Sequence, residues 1–210
     1  MPRPDPIPGF VMTPEMAAIW DRLGVANTYV TGRAGTGKST LTQQYHATTK
    51  RQVAIVAPTG TAALNAGGVT VHSFFRFAPG IQPKEAAQIR PNQPELFQKL
   101  ECLVIDEASM VRADLMDCIE AFLRRNGPLP GQPFGGVAIM LVGDLYQLEP
   151  VCPPAESLLL RHYSSPFFFS SSAYQEASAF DRGGFATMEL THPFRQREQH
   201  FLQALDGVRD

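Results

Sequence analysis

The chain has 210 residues, of which 44% are hydrophobic and 18% are charged, and its formal net charge is -2. The length suits one domain of good size. The charge gives no globally basic signature for nucleic acid, so DNA binding would need a local positive groove. No apolar run reaches the ~18 residues of a membrane span, and the N-terminus lacks the apolar core of a signal peptide. We therefore expect a cytoplasmic protein that has no membrane partner.

Strands and helices alternate along the chain after a Pro-rich leader over residues 1–11. A first helix begins near Thr13, and a second runs from about Lys38 to His46. The runs of strand type are NTYVTG, QVAIVAP, CLVIDE, VAIMLVGD and the short TMEL. This alternation predicts an α/β fold, in which helices cover both faces of a parallel sheet. Ligands of such sheets bind beyond the carboxyl ends of the strands.

Residues 76–100 interrupt the alternation. The segment contains four prolines and little hydrophobic periodicity, apart from a possible short helix before Cys102. We expect it to form a small inserted element on the surface of a domain that covers residues 12–210.

A glycine-rich loop follows the first strand. The sequence GRAGTGKS from Gly32 to Ser39 fits the pattern G-x-x-x-x-G-K-[ST], and a helix begins within it. Backbone N–H groups of such a loop surround phosphates, and the helix N-terminus favours their negative charge. In this motif Lys38 reaches the β- and γ-phosphates, and Ser39 offers its hydroxyl group to Mg²⁺. The predicted nucleotide-binding residues are Gly32, Gly35, Thr36, Gly37, Lys38, Ser39 and Thr40.

Acidic and amide side chains follow two later strands. Asp106 ends the apolar run LVI, where a carboxylate can hold Mg²⁺, and the adjacent Glu107 can activate water. An isolated Asp-Glu pair would be a solvated strand end, but downstream of a phosphate loop the pair favours hydrolysis. Gln147, three residues after Asp144, can orient water near the γ-phosphate, or it can belong to an ordinary turn.

Candidate DNA contacts follow the second strand. Thr59 and Thr61 open a predicted helix whose N–H groups could bind a backbone phosphate. His72 and Ser73 could do the same, although a histidine beside three phenylalanines is more often packed. Arg195 follows the strand TMEL and could compensate charge at the γ-phosphate, or it could form a surface ion pair.

Six motifs occur in order: GRAGTGKS, APTGTAA, VTVHSFF, VIDEAS, VGDLYQLEPV and LTHPFRQ. Over about residues 12–209 the chain resembles the first motor domain of superfamily 1 DNA helicases, in the Pif-type and RecD-like branch. The resemblance implies a RecA-like P-loop fold and ATP hydrolysis that drives 5′-to-3′ movement on single-stranded DNA, with Mg²⁺ as cofactor.

The resemblance also assigns roles to individual residues. Nucleotide and Mg²⁺ binding fall to Lys38 and Ser39, and the metal-holding and catalytic pair is Asp106 and Glu107. Gln147 senses the γ-phosphate. Arg195, in LTHPFRQ, is the arginine of the motif that the family numbers as its fourth. The residues that match contacts to the backbone of single-stranded DNA are Thr59, Thr61, His72 and Ser73.

The chain departs from the family pattern in two places. Met16 stands where the family usually has a Gln that hydrogen-bonds the adenine edge, which puts adenine specificity in question. The chain ends at Asp210, whereas the family continues into a second motor domain that would be a partner of this one. An alternative function is therefore a nucleotide-dependent regulatory module without translocation. A small-molecule kinase fits less well, because no acceptor site or lid pattern accompanies the loop.

Overall fold

A computed structural model describes residues 5–153, 161–179 and 184–194 of the chain. Arg195 and the segment after it lie outside the described residues. The strands are β1 (Thr28–Gly32), β2 (Val53–Ala57), β3 (Val69–Thr70), β4 (Cys102–Ile105), β5 (Ala138–Val142) and β6 (Ala186–Leu190). They form a six-stranded sheet in the order β3-β2-β4-β5-β1-β6, and each neighbouring pair is parallel. The predicted parallel α/β fold is confirmed.

Helices connect these strands. They are α1 (Pro14–Trp20), α2 (Lys38–Thr48), α3 (Gly60–Ala66), α4 (Val71–Phe75), α5 (Pro83–Ala86), α6 (Pro94–Gln98), α7 (Ala113–Asn126) and α8 (Ser172–Ala179). The first begins as predicted, because the Thr13 hydroxyl accepts a hydrogen bond from the Met16 N–H at 3.2 Å and caps the helix. Within the described residues, no helix has both the length and the hydropathy needed to cross a membrane.

The sheet is buried on both faces, which explains why its strands are apolar without alternation. In β4, Leu103 and Ile105 contribute to the core under α7, whereas Cys102 and Val104 contribute to the core under α1 and α2. All four side chains are fully buried. The sheet therefore holds its strand ends in fixed positions, and these ends carry most of the predicted site residues.

The segment 76–100 is more closely packed than its sequence indicated. It forms α5 and α6, and its four buried side chains are Phe77, Ala86, Phe97 and Leu100. The ring of Phe97 lies 4.8 Å from that of Phe122 on α7, centroid to centroid. Helices of four and five residues are too short to show a helical hydrophobic period, so this packing was not visible in the sequence.

Candidate functional site

The sheet order brings three motifs to one edge. Strand β5 lies between β1 and β4, so the loop that follows β5 lies between the phosphate loop and Asp106. Backbone hydrogen bonds hold these loops at the strand ends: Gly143 N–H donates to the Val30 carbonyl at 3.1 Å, and Asp106 N–H donates to the Val56 carbonyl at 2.9 Å. The carboxyl ends of the strands form the candidate active site.

The phosphate loop depends on glycine at its first position. Gly32 has φ +146, and a Cβ there would lie 2.3 Å from the Leu190 carbonyl oxygen on β6. The Thr36 hydroxyl donates to the Arg33 carbonyl at 2.9 Å, which closes the turn of the loop. Gly37, at φ +89, is the N-cap of α2. The loop has the backbone conformation that only glycine adopts without strain at these points.

Lys38 lies across the loop at the start of α2. Its ammonium group donates hydrogen bonds to the Gly32 carbonyl and, at 3.1 Å, to the Arg33 carbonyl. Ser39 and Thr40 follow in the first turn, and both are exposed. The cation and the two hydroxyl groups thus occupy the end of the helix that faces the loop, as the motif predicted.

Asp106 and Glu107 differ strongly in environment. Asp106 is only 7% exposed. Burial raises its pKa to about 6, the nearby Glu107 charge acts in the same direction, and the Glu107 N–H and the Lys38 charge oppose them. Glu107 has φ 50 and ψ 45, a left-handed conformation that is costly for a non-glycine residue. The two adjacent carboxylates therefore differ in burial, since Asp106 is buried and Glu107 is half-buried.

The loop after β5 lies directly against the Asp106–Glu107 segment. A Cβ on Gly143 would lie 3.0 Å from the Ala108 nitrogen, so the two backbones are in contact. Asp144 is 3% exposed, and its carboxylate accepts hydrogen bonds from the Tyr146 N–H at 3.1 Å and the Gln147 amide at 3.3 Å. Asp144 therefore holds the exposed Gln147 on this side of the site.

The candidate DNA residues separate into two groups. Thr59 and His72 line one cleft of about 360 Å³ beside the active-site edge, together with apolar residues of the loop after β5. Ser73 borders a second cleft of about 250 Å³, between α4 and the segment 76–100. Thr61 lies exposed in the first turn of α3. The structure thus places Thr59 and His72 in one cleft and Ser73 in another.

Two residues at the phosphate-loop edge were not among the predicted site residues. The Phe194 N–H donates to the Gly35 carbonyl at 3.0 Å, which attaches the chain after β6 to the phosphate loop. The Glu15 carboxylate accepts hydrogen bonds from the Thr191 hydroxyl, from the Thr191 N–H at 2.9 Å and from the His192 N–H. Phe194 was within a selected motif, but nothing in the sequence indicated the Glu15 contact, which spans 176 positions. Arg195 lies just beyond the described residues.

Met16 and the leader also lie at the loop. Met16 is 1% exposed, and a Cβ on Gly37 would lie 2.8 Å from its terminal methyl group. The Ile7 N–H donates to the Gln44 side-chain oxygen on α2 at 2.8 Å. The described part of the leader is therefore joined to the helix that follows the phosphate loop.

Comparisons with known proteins agree with this geometry. The model of the family described as PIF1-like helicase matches residues 16–203. The chain is 34% identical over 194 residues to the ATP-dependent DNA helicase PIF1 of Emericella nidulans, a match that covers 86% of this chain and 24% of the relative. It is 35% identical over 185 residues to the human protein of the same name, covering 86% and 27%. The chain spans about a quarter of the length of these curated relatives.

Solved structures are similar over nearly the whole chain. A crystal structure of Bacteroides Pif1 bound to ssDNA is similar with a TM-score of 0.81 and 38% identity, covering 95% of this chain and 46% of that one. A Bacteroides sp. Pif1 structure in complex with ADP-AlF4 has a TM-score of 0.79 at the same identity and coverage.

Proposed function

Because the chain belongs to the PIF1-like helicase family, we propose that it is an ATP-hydrolysing motor domain of a DNA helicase, which couples hydrolysis to 5′-to-3′ movement on single-stranded DNA. The observation that carries the proposal is the meeting of three motifs at one edge of the sheet. The phosphate loop, the Asp106–Glu107 turn and the Asp144–Gln147 loop follow β1, β4 and β5, which are neighbours in the order β4-β5-β1.

Mg²⁺ fits the oxygen atoms at this edge. Ser39 offers an exposed hydroxyl group, and Asp106 offers a buried carboxylate whose pKa is raised to about 6. A bound cation favours the charged carboxylate, and Mg²⁺ prefers hard oxygen ligands such as these two together with phosphate oxygens. When bound, the ion would neutralise negative charge on the phosphates.

The remaining residues would act on the triphosphate and the attacking water. Glu107 would accept a proton from the water, and the Asp144–Gln147 hydrogen bond would hold the Gln147 amide where it can orient that water. The Lys38 ammonium group would exchange its loop carbonyl partners for phosphate oxygens and stabilise charge in the transition state. Arg195, which follows Phe194 in the chain, would add a second cation.

The proposed DNA path crosses the N-terminal ends of α3 and α4. Thr59, Thr61, His72 and Ser73 would contact backbone phosphates, since hydroxyl groups, imidazole and backbone N–H groups are common phosphate donors. Thr59 and His72 border an open cleft, which supports this placement. A Bacteroides Pif1 of the same fold has been crystallised with single-stranded DNA.

We also propose that residues 76–100 form an inserted element beside this path. The segment shares a cleft with Ser73, to which it contributes Arg76, Gln93 and Leu96. Deleting such a packed segment would damage the core, so the test is the single substitution Arg76→Ala. Lys84→Ala is the control, because Lys84 is an exposed cation on α5 that does not line this cleft. A shallower salt dependence of DNA binding in R76A alone supports the element's contact with phosphate.

The decisive experiment measures ATP hydrolysis with and without single-stranded DNA. We expect stimulation by single-stranded DNA, its loss in T59A/H72A, and its retention in T48A, an exposed threonine at the end of α2. A rate of ATP hydrolysis that does not change when single-stranded DNA is added would favour the alternative, a nucleotide-dependent regulatory module without translocation. A cytoplasmic location and a second motor domain as partner stay predictions from the sequence.

A further inference from the structure

A cleft of about 240 Å³ adjoins the phosphate loop on the side of the leader. Its lining residues are Ile7, Pro8, Gly9, Phe10, Val11, Met16, Gly37, Thr40 and Phe194. Gly37 and Thr40 belong to the loop and the first turn of α2, so the cleft begins where the phosphate-binding backbone ends. We infer that this cleft takes the nucleobase of the bound triphosphate through apolar contact and therefore discriminates only weakly between bases. The inference rests on the proposed nucleotide site.

The lining offers little that could distinguish one base edge from another. Thr40 supplies the one side-chain hydrogen-bonding group among the described lining residues, and the others are apolar or glycine. A hydroxyl group both donates and accepts, so it can bond the edge of any base. Strong discrimination needs fixed donors and acceptors that a wrong ligand would leave unpaired.

Polar groups near the cleft are already engaged in holding its walls. The Gln44 side-chain oxygen accepts the Ile7 N–H at 2.8 Å, and the Thr13 hydroxyl accepts the Met16 N–H at 3.2 Å. The Glu15 carboxylate accepts N–H groups of Thr191 and His192. These three side chains fix the leader, α1 and the chain after β6 around the cleft.

Met16 and Phe194 form the wall next to the loop. A Cβ on Gly37 would lie 2.8 Å from the Met16 terminal methyl group and 3.2 Å from the Phe194 ring. Met16 is buried, whereas Phe194 is 44% exposed and presents ring surface to the cleft. A thioether is only a weak hydrogen-bond acceptor, and an aromatic ring stacks on every base. Both residues would contribute affinity without base selectivity.

The experiment is a competition assay in which ADP, GDP, CDP and UDP, each with Mg²⁺, displace a fluorescent ADP labelled on the ribose. We expect the four inhibition constants of the wild-type chain to lie within about 10-fold, the range typical of apolar pockets. Phe194→Ala should weaken all four by a similar factor, on the order of 10-fold, because stacking is shared by all bases.

Met16→Gln tests directly whether the side chain at position 16 contacts the nucleobase. A carboxamide at the cleft wall should raise the preference for one base by about 10-fold, whereas Met16→Leu should leave the ratios unchanged. Met12→Gln is the matched control, because Met12 is 40% exposed and does not line the cleft. Thermal unfolding confirms that each variant is folded.

Three outcomes would overturn the inference. A wild-type preference for ADP over the other three nucleotides of more than about 10-fold would contradict weak discrimination by apolar contact. Unchanged ratios in folded M16Q would remove Met16 from the base site. The proposed nucleotide site itself would be wrong if no nucleotide displaced the probe, or if displacement persisted in K38A. These results distinguish failure of the nucleotide site from failure of the base-site inference alone.

Discussion

The Phe194 N–H donates a hydrogen bond to the Gly35 carbonyl at 3.0 Å, and this contact joins the chain after the edge strand β6 to the phosphate loop. Leu190 of β6 pairs with Gly32 of the same loop, and a Cβ on Gly32 would lie 2.3 Å from the Leu190 carbonyl oxygen. Two backbone contacts therefore join one segment, residues 190–194, to the phosphate loop. The phosphate loop is therefore in contact with residues about 160 positions further along the chain, as the numbering of Gly35 and Phe194 shows.

Lys38→Ala should abolish hydrolysis and leave the fold intact. The variant removes the ammonium group that would face the transferring phosphate, and loss of one such group costs on the order of 10²–10³-fold in rate. Lys50→Ala is the control, since Lys50 is exposed just beyond the end of α2. Steady-state ATP hydrolysis measures the effect. Normal turnover in K38A would contradict the assignment of the nucleotide site.

Glu107→Gln should retain ATP binding and lose hydrolysis by about 10²–10⁴-fold, because the amide keeps the shape of the side chain but cannot accept a proton. Glu149→Gln, an exposed change in the neighbouring loop, should leave turnover unchanged. Titration with a fluorescent ATP analogue measures binding separately. If binding fell together with turnover, Glu107 would be a structural residue or a metal ligand.

Glu107→Asn should raise stability while it removes activity. Glu107 has φ 50, and asparagine tolerates this left-handed conformation better than glutamate does. The gain should be about 0.5–1 kcal/mol in the free energy of unfolding, part of the cost usually stored at such a position. Glu107→Gln keeps the conformational cost and loses the charge, so the difference between the two variants isolates the backbone effect. Equal stabilities would show that the backbone is not strained.

Gly32→Ala should destabilise the domain. The new Cβ would lie 2.3 Å from the Leu190 carbonyl at a φ of +146, so the loop or β6 must move. Overpacking of this kind costs about 1–3 kcal/mol. Gly60→Ala is the matched control, because a Cβ there meets nothing within 4 Å. Denaturant unfolding of both variants gives the comparison, and equal stabilities would contradict the close contact between the loop and β6.

Glu15→Gln should destabilise the protein in a manner that depends on pH. The Thr191 hydroxyl, followed by the Thr191 N–H, lowers the pKa of Glu15 below its ordinary 4.5. A lowered carboxyl pKa adds stability above the unfolded value, and this contribution is lost as the pH falls through the folded value. The difference in Tm between wild type and E15Q should be present at neutral pH and shrink below pH 4.5. A difference that is constant with pH would contradict a role for the charge.

Local pattern was sufficient to predict most of the fold and the nucleotide site. Short sequence patterns identify the glycines and Lys38 of the phosphate loop, the Asp106–Glu107 pair and the strands before them, because the backbone conformation of each depends mainly on neighbouring residues. The parallel sheet and the resemblance to the Pif-type branch are confirmed. The roles of the individual residues stay predictions until the variants above are measured.

The sequence by itself determined which residues follow which strand, because strand and turn preferences act over a few neighbours. Only the tertiary structure decided that β5 lies between β1 and β4, which brings Gly143 against Ala108. It also decided that Glu15 holds Thr191, that Phe194 lies on the phosphate loop, and that Phe97 packs on α7. These contacts join segments far apart in the chain, and they depend on how the helices and loops pack around the two buried faces of the sheet, which short-range sequence preferences do not specify.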